Sequence, residues 1–297
     1  MNLRLEMLQV ARLAPKLLGD STPLVEKFFI NEQNSDGGFK DRAAQSDLYY
    51  TVFGLDGLLA LQAAVPGESV EKFLNQFNCG DKLDFVHLCC LARCWGTLQH
   101  ATGIRCSAEI RRQLLARLKF HRSLDGGFNL LPQQPGGAVY AAFLAAGAFA
   151  DLGSEISELN KLVQSLKLLE TSDGGWLNDR HTKSGSTNAS AAAVVLLTGL
   201  GMPLNDTVGN WLLARAHKSG GFVASPETPI PDLLSTATTL HALSCMQRDI
   251  SSVREGCIDF VDSLWTNEGG FHGTWTDDKL DCEYTYYGLL TLGHLSI

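Results

Sequence analysis

The sequence predicts an all-α fold, an (α/α)6 barrel (toroid) of six helical-hairpin repeats forming one domain over residues 1–297. Three observations carry that expectation. A Gly-Gly-aromatic turn recurs, as "SDGGF" ending at Phe39, "LDGGF" at Phe128, "SDGGW" at Trp176, "KSGGF" at Phe222 and "NEGGF" at Phe271. The turns lie roughly 48 residues apart, except for a first interval close to twice that, and self-similarity at such a period marks a repeat architecture. "FNCGDKLDFVHLCCLARC" fills the long interval with a shortened turn and so supplies a sixth unit. Strand-like alternation is absent. Instead each turn leads, about ten residues on, to a small or acidic residue and an Ala/Leu-rich run of helical character.

The elements follow unit by unit. The opening "MNLRLEMLQVARLAPKLL" is amphipathic, and Arg4, Glu6 and Arg12 interrupt its apolar positions, so it does not read as a signal peptide. Paired glycines suit a turn that needs positive φ. Inner helices are expected to start at Asp47, Asp84, Gly137, Ser186, Asp232 and Asp281, because Asp, Ser and Gly suit an N-cap. A more amphipathic helix closes each unit, as in "SVEKFLNQF" and "DTVGNWLLARA". "AVYAAFLAAGAFA", Ala138 to Ala150, is apolar on nearly all faces and too short for a bilayer of roughly 30 Å, so it reads as an enclosed helix. One enclosed helix per unit favours a closed ring over an open solenoid.

Composition narrows the function. A hydrophobic share of 45% with 19% charged residues indicates a soluble chain that buries much of itself. The net charge of −8 argues against a nucleic-acid partner, which would require a Lys/Arg surplus. None of the eight cysteines forms a CxxC pair, so reduced, mostly buried thiols and a cytoplasmic setting are expected. P-loop, Rossmann and serine-hydrolase signatures are absent.

If the apolar helices form the inner ring, their starts fringe one mouth of a central cavity. One turn deeper lie Tyr50, His87, Tyr140, Ala189, Ser235 and Tyr284, and a further turn brings Phe53, Cys90, Phe143, Ala192, Thr238 and Tyr287. Units 1, 3 and 6 thus send aromatics inward while units 4 and 5 send small residues. That asymmetry leaves room for an apolar ligand, although rings of this kind also serve as core filler.

The units "DGGF…DLYYTVFGLDGL" and "GGF…DCEYTYYGLLTLGHL" resemble the repeats of protein prenyltransferase β-subunits and of squalene–hopene and oxidosqualene cyclases, over nearly the whole chain. The resemblance implies a single toroid whose cavity holds an isoprenoid, and it allows a partner subunit. Its site residues carry over in part. Where the zinc prenyltransferases place Asp-x-Cys and a later His, this chain has Asp232, Leu234 and Tyr284, so the usual zinc site is not expected. Where the cyclases place Asp-x-Asp-Asp-Thr-Ala, "DLLSTA" keeps Asp232, Thr236 and Ala237 but not the other acids. Asp232 therefore reads as a helix cap or as an acid deprived of its supporting carboxylates.

"WTDDKLDCEY" sets Asp277, Asp278 and Asp281 at DDxxD spacing, a pattern that can hold Mg²⁺ or simply form an acidic turn. Arg180, His181 and Lys183 in one turn, and Lys40 and Arg42 in another, are candidates to meet an anionic head group, or ordinary surface charge. His87 reads as a core histidine or a base. Two functions follow. One is an isoprenoid-processing enzyme, transferase or cyclase, with Asp232 and Asp281 as catalytic carboxylates. In it Tyr50, Phe53, Tyr140, Phe143, Tyr284 and Tyr287 would steady a prenyl chain or carbocation. The other is a non-catalytic module that holds a lipid or a peptide tail.

Overall fold

The structure, a computed structural model, describes residues 3–297. Six inner helices alternate with six outer ones. The inner set is α4 (Leu48–Ala60), α6 (Phe85–Thr102), α8 (Val139–Asp151), α10 (Thr187–Gly199), α12 (Leu233–Cys245) and α14 (Cys282–Leu295). The outer set is α3 (Thr22–Asn31), α5 (Gly67–Asn75), α7 (Ala108–Phe120), α9 (Leu159–Lys167), α11 (Asp206–Leu213) and α13 (Ser251–Leu264). Each inner helix packs on the next, and α14 packs back on α4, so the ring is closed.

Caps explain where the inner helices begin. The side chains of Asp47, Asp84, Ser186, Asp232 and Asp281 each accept a backbone N–H from the first turn. Unit 3 departs from expectation by one residue: α8 starts after Ala138 rather than Gly137, without a side-chain cap. There the side-chain oxygen of Asn178, from the neighbouring unit, accepts the Tyr140 N–H at 3.1 Å.

The recurring turns pin outer helices to inner ones. Their aromatics, Phe39, Phe128, Trp176, Phe222 and Phe271, are all at most 2% exposed. In four units the aromatic's N–H donates to a hydroxyl in the first turn of the inner helix: Thr51, Ser190, Thr236 and Thr285. Thr236 of "DLLSTA" therefore has a structural duty in its own turn. The first glycine of the pair is forced: Gly37 sits at φ 99°, and a Cβ there would lie 1.9 Å from the Ser69 carbonyl oxygen. Among the described residues, only in unit 1 does the turn extend to a two-residue antiparallel ladder, Phe39–Lys40 against Ser46–Asp47.

The N-terminal helix α1 (Leu3–Ala11), followed by the short α2 (Pro15–Leu18), does not join the ring. Helix α1 packs on α14, α4, α8 and α10 and so lies across the end of the bore opposite the mouth. Its amphipathic pattern is explained by that position, with Leu3, Met7, Leu8 and Ala11 buried. All eight cysteines are free thiols, five of them buried. Among the described residues no helix is long and apolar enough to cross a membrane.

Candidate functional site

A cavity of about 400 Å³ occupies the bore, within the range of small-molecule sites, roughly 300–1,000 Å³. All six residues expected two turns down the inner helices line it: Phe53, Cys90, Phe143, Ala192, Thr238 and Tyr287. Of the residues expected one turn down, Tyr140 and Ala189 line it, whereas Tyr50, His87, Ser235 and Tyr284 do not. The anticipated asymmetry is present. Tyr49, Phe53 and Tyr287 pack edge-on or tilted, with centroids 5.0 and 5.4 Å apart, and face the small residues Ala189, Ala191, Ala192 and Val195 of α10. Tyr140 lines the cavity yet is 38% exposed, so the cavity reaches solvent there.

Three features of the wall were not foreseen. Leu3, Arg4 and Met7 of α1 form its floor, because an amphipathic helix says nothing of its docking partner. Arg93 lines it from α6 and is bonded to the fully buried Asp56 at 2.5 Å, which raises the guanidinium's pKa against the opposing effect of burial. His241 lines it near the floor, its Nδ1 3.1 Å from Nε2 of His294. Burial pushes the two imidazoles down to about 4 and about 3, so the pair is neutral at pH 7.

The mouth is fringed by charge that is already matched. Arg42 donates to both oxygens of Asp277, at 3.1 and 2.7 Å, and to Asp281 Oδ2 at 2.7 Å. Hydrogen bonding to Asp277 is the main reason its pKa rises. The other oxygen of Asp281 caps α14 at Tyr284. The expected magnesium ligands therefore do not fit an open metal site. A guanidinium stands between Asp277 and Asp281, and Asp278 is exposed and outside the clamp. Among the described residues no group of three or more His, Cys, Asp or Glu is arranged for a metal ion.

His87 is similarly held, with Nε2 3.1 Å from Asp47 and Nδ1 2.9 Å from Asp84. The bond to Asp47, helped by Asp84, raises it to about 9, so it is an imidazolium clamped on the rim rather than a base in the bore. Asp232 accepts the Ser235 N–H at 2.7 Å and lies outside the cavity wall; burial raises its pKa. Its geometry is that of a cap. Arg180 reaches only Asp125, at 3.3 Å, and Lys183 is exposed, so neither lines the cavity.

One acidic residue stands apart. Glu283, in the first turn of α14, is largely buried and accepts the Tyr49 hydroxyl at 2.6 Å. Burial raises it to about 7, with Asp281 adding to the rise and the Tyr49 bond opposing it. It lacks the direct cation partner that Asp281, Asp47, Asp56 and Asp151 each have. Its field bears on Tyr140 and Tyr287 of the cavity wall. The sequence placed Glu283 beside the DDxxD motif, but nothing there distinguished it from an exposed acid.

A closed helical toroid around an apolar, one-sidedly aromatic cavity defines an α/α barrel with a hollow bore. The particular family is shown by the sequence: residues 16–89 and 190–296 match the prenyltransferase alpha-alpha toroid domain, and the chain belongs to that family. No curated protein matches the sequence. Among solved structures, the apo type II terpene cyclase MstE from Scytonema aligns with TM-score 0.62 at 15% identity, covering 94% of this chain and 97% of that one. Candida albicans protein geranylgeranyltransferase-I complexed with GGPP gives 0.63 at 16%, covering 82% and 83%. The ent-copalyl diphosphate synthase from Streptomyces platensis gives 0.51 at 16%, covering 84% of this chain and 50% of that one. At such identities the likeness is one of fold.

Proposed function

We propose that this protein is an isoprenoid-processing enzyme that holds a prenyl chain in the central cavity and works on a substrate without a diphosphate. The observation that carries the reading is the one-sided wall, with Tyr49, Phe53, Tyr140, Phe143 and Tyr287 facing Ala189 and Ala192 across an apolar space closed at one end by α1. Such a space accepts a flexible hydrocarbon, and the ring faces stabilise any positive charge that develops on it. Structural relatives bind such molecules: the MstE cyclase has been solved with geranylgeranyl dihydroxybenzoate, and the Candida enzyme with GGPP.

The mouth argues against a diphosphate head. Arg42 and His87 are each clamped between two carboxylates, and Lys279 donates to the Arg42 carbonyl. Releasing either would leave those acids unmatched. The acid–base work falls to Glu283 through Tyr49, in place of Asp232 and Asp281. A carboxyl of pKa about 7 is too weak to protonate an isolated alkene but is suited to exchanging a proton with a hydroxyl, carbonyl or epoxide oxygen at neutral pH.

Titration calorimetry with geranylgeraniol and with geranylgeranyl diphosphate tests the binding step. The alcohol should bind and the diphosphate should bind no more tightly; strong preference for the diphosphate would overturn the reading. Product analysis after incubation with oxygenated polyprenes tests turnover, which Glu283→Gln should abolish. A second reading, a non-catalytic lipid carrier, is favoured by the commitment of Asp47, Asp232 and Asp281 to caps and clamps. Retention of intact ligand without product would select it.

A further inference from the structure

The inner end of the bore is not apolar. The ninth residue after each inner-helix cap marks one level there: Asp56, Arg93, Gly147, Val195, His241 and Leu290. Nine residues of α-helix put that level about 14 Å below the caps. Arg93 on α6 and His241 on α12 line the cavity from opposite sides of the ring. Beside Arg93, on α8, Gly147 leaves room: a Cβ on it would meet no atom within 4 Å.

Arg93 is only partly spent on its ion pair. Its Nε and Nη2 both donate to Asp56 Oδ2, at 3.2 and 2.5 Å, and the other Asp56 oxygen accepts the Thr97 hydroxyl at 3.4 Å. That uses one edge of the guanidinium. Nη1, on the other edge, has no partner among the described residues. Asp56 is fully buried, but the arginine side chain keeps 20% of its surface accessible, and it borders the bore rather than the hollow outside the floor helix. The spare N–H groups therefore open onto the cavity. Hydrocarbon packed at this level would strip water from them and offer nothing in return, and a site with such a donor selects against ligands that lack the acceptor.

The acceptor it calls for is uncharged. Arg93 is balanced by Asp56 and Arg4 by Asp151, and His241 and His294 are neutral at pH 7. A carboxylate would bring unbalanced charge into an enclosed space, whereas a hydroxyl or carbonyl oxygen would not. We infer that the bore takes a chain bearing a neutral oxygen, hydroxyl or carbonyl, at the end remote from the mouth, and that Arg93 is the specificity-determining residue that donates to it through Nη1. The inference rests on the reading of the bore as a chain-binding site. It narrows that reading to substrates with an oxygen besides the one proposed to meet Glu283 and Tyr49.

Glucosides test it, because the sugar stays in water at the mouth and fixes which end of the chain enters first. Titration calorimetry on the full chain, below micelle-forming concentrations, compares geranylgeranyl glucoside with its ω-hydroxy analogue, and dodecyl glucoside with its ω-hydroxy analogue. In each pair the hydroxylated chain should bind at least tenfold more tightly, whereas a wholly apolar pocket would favour the plain chain. Arg93→Met combined with Asp56→Leu removes both charges together and should reverse the preference. Gly147→Leu fills the room beside Arg93 with the ion pair intact, and should reduce the preference at least tenfold. The preference is a ratio of two affinities for one protein, so a variant that is merely less stable lowers both and leaves it unchanged. Tighter binding of the plain chains, a preference that survives both variants, or no binding of any of the four would overturn the inference. A preference seen with the dodecyl pair alone upholds it and instead removes the isoprenoid from the proposed function.

Discussion

The two ends of the bore set opposite charges against each other by opposite means. At the mouth, half-exposed Arg42 and His87 each hold a pair of aspartates, of which Asp47, Asp84 and Asp281 also cap inner helices. At the floor, Arg4–Asp151 and Arg93–Asp56 are buried pairs, and His241 and His294 stay neutral. The difference teaches how burial changes the worth of a contact. A half-exposed pair such as His87–Asp84 is screened by solvent and adds little, whereas pairs with a buried member are expensive to break even where they add little net stability.

The largest effect is therefore expected at the floor. Arg93→Met leaves Asp56, fully buried, without its cation, and should cost about 3–5 kcal/mol in chemical denaturation. Removing both charges, as Arg93→Met with Asp56→Leu, should recover most of that loss. If the single variant costs under 1 kcal/mol, the floor is wetter and looser than the structure shows.

The two ends also titrate in opposite senses. Glu283 rises from an ordinary 4.5 to about 7, so its contribution is complete below pH 4.5 and is lost as pH climbs through 7. The shift corresponds to roughly 3 kcal/mol at most. Glu283→Gln should flatten stability across that window, and an unchanged slope would remove the buried carboxyl from the account. The His241–His294 pair works the other way. Both imidazoles are pushed below their ordinary 6.5, so their contribution is present above pH 6.5 and is lost as pH falls toward 4. His241→Phe should make the acid limb of the stability curve shallower, as followed by thermal melts between pH 4 and 7.

Ala192→Phe sharpens the comparison between the two faces of the wall. The new ring enters empty space rather than a packed core, so stability should change by less than the roughly 1–3 kcal/mol typical of overpacking. Binding of geranylgeraniol should fall by more than tenfold. Retained affinity would move the ligand out of the bore.

The ring of helices was legible because two local signals repeat: the glycine pair that a positive-φ turn demands, and the capping residue a fixed distance on. The aromatic-against-small wall was legible too, since helical spacing fixes which residues share a face. Rim chemistry was not. Asp277 and Asp281 satisfy a metal-like spacing, yet Arg42, more than two hundred residues earlier, closes on them when the ring closes. Tyr50 and Tyr284 carry the right residue type one turn too high, where the rim takes them. Glu283 acquired its raised pKa from burial supplied by other units and from Asp281, against the opposing Tyr49 bond. Spacing along one strand of sequence reports periodic faces well and long-range partners not at all.

The smallest effect is expected at His87, and it discriminates most finely between a rim clamp and a hidden base. Asp47 and Asp84 raise it from 6.5 to about 9. A raised histidine contributes fully below pH 6.5 and loses its contribution as pH rises through 9. The ring is 34% exposed and its partners 27% and 65%, so solvent screens much of the attraction, and a loss below about 1 kcal/mol is expected. His87→Ala should therefore be slightly less stable than the parent at pH 6, equal to it at pH 10, and closer to it in high salt, where exposed pairs are screened. Isoprenoid binding should be unaffected, because His87 does not line the cavity. A salt-independent loss of several kcal/mol, or loss of turnover with stability intact, would instead place the imidazole among the working groups of the bore.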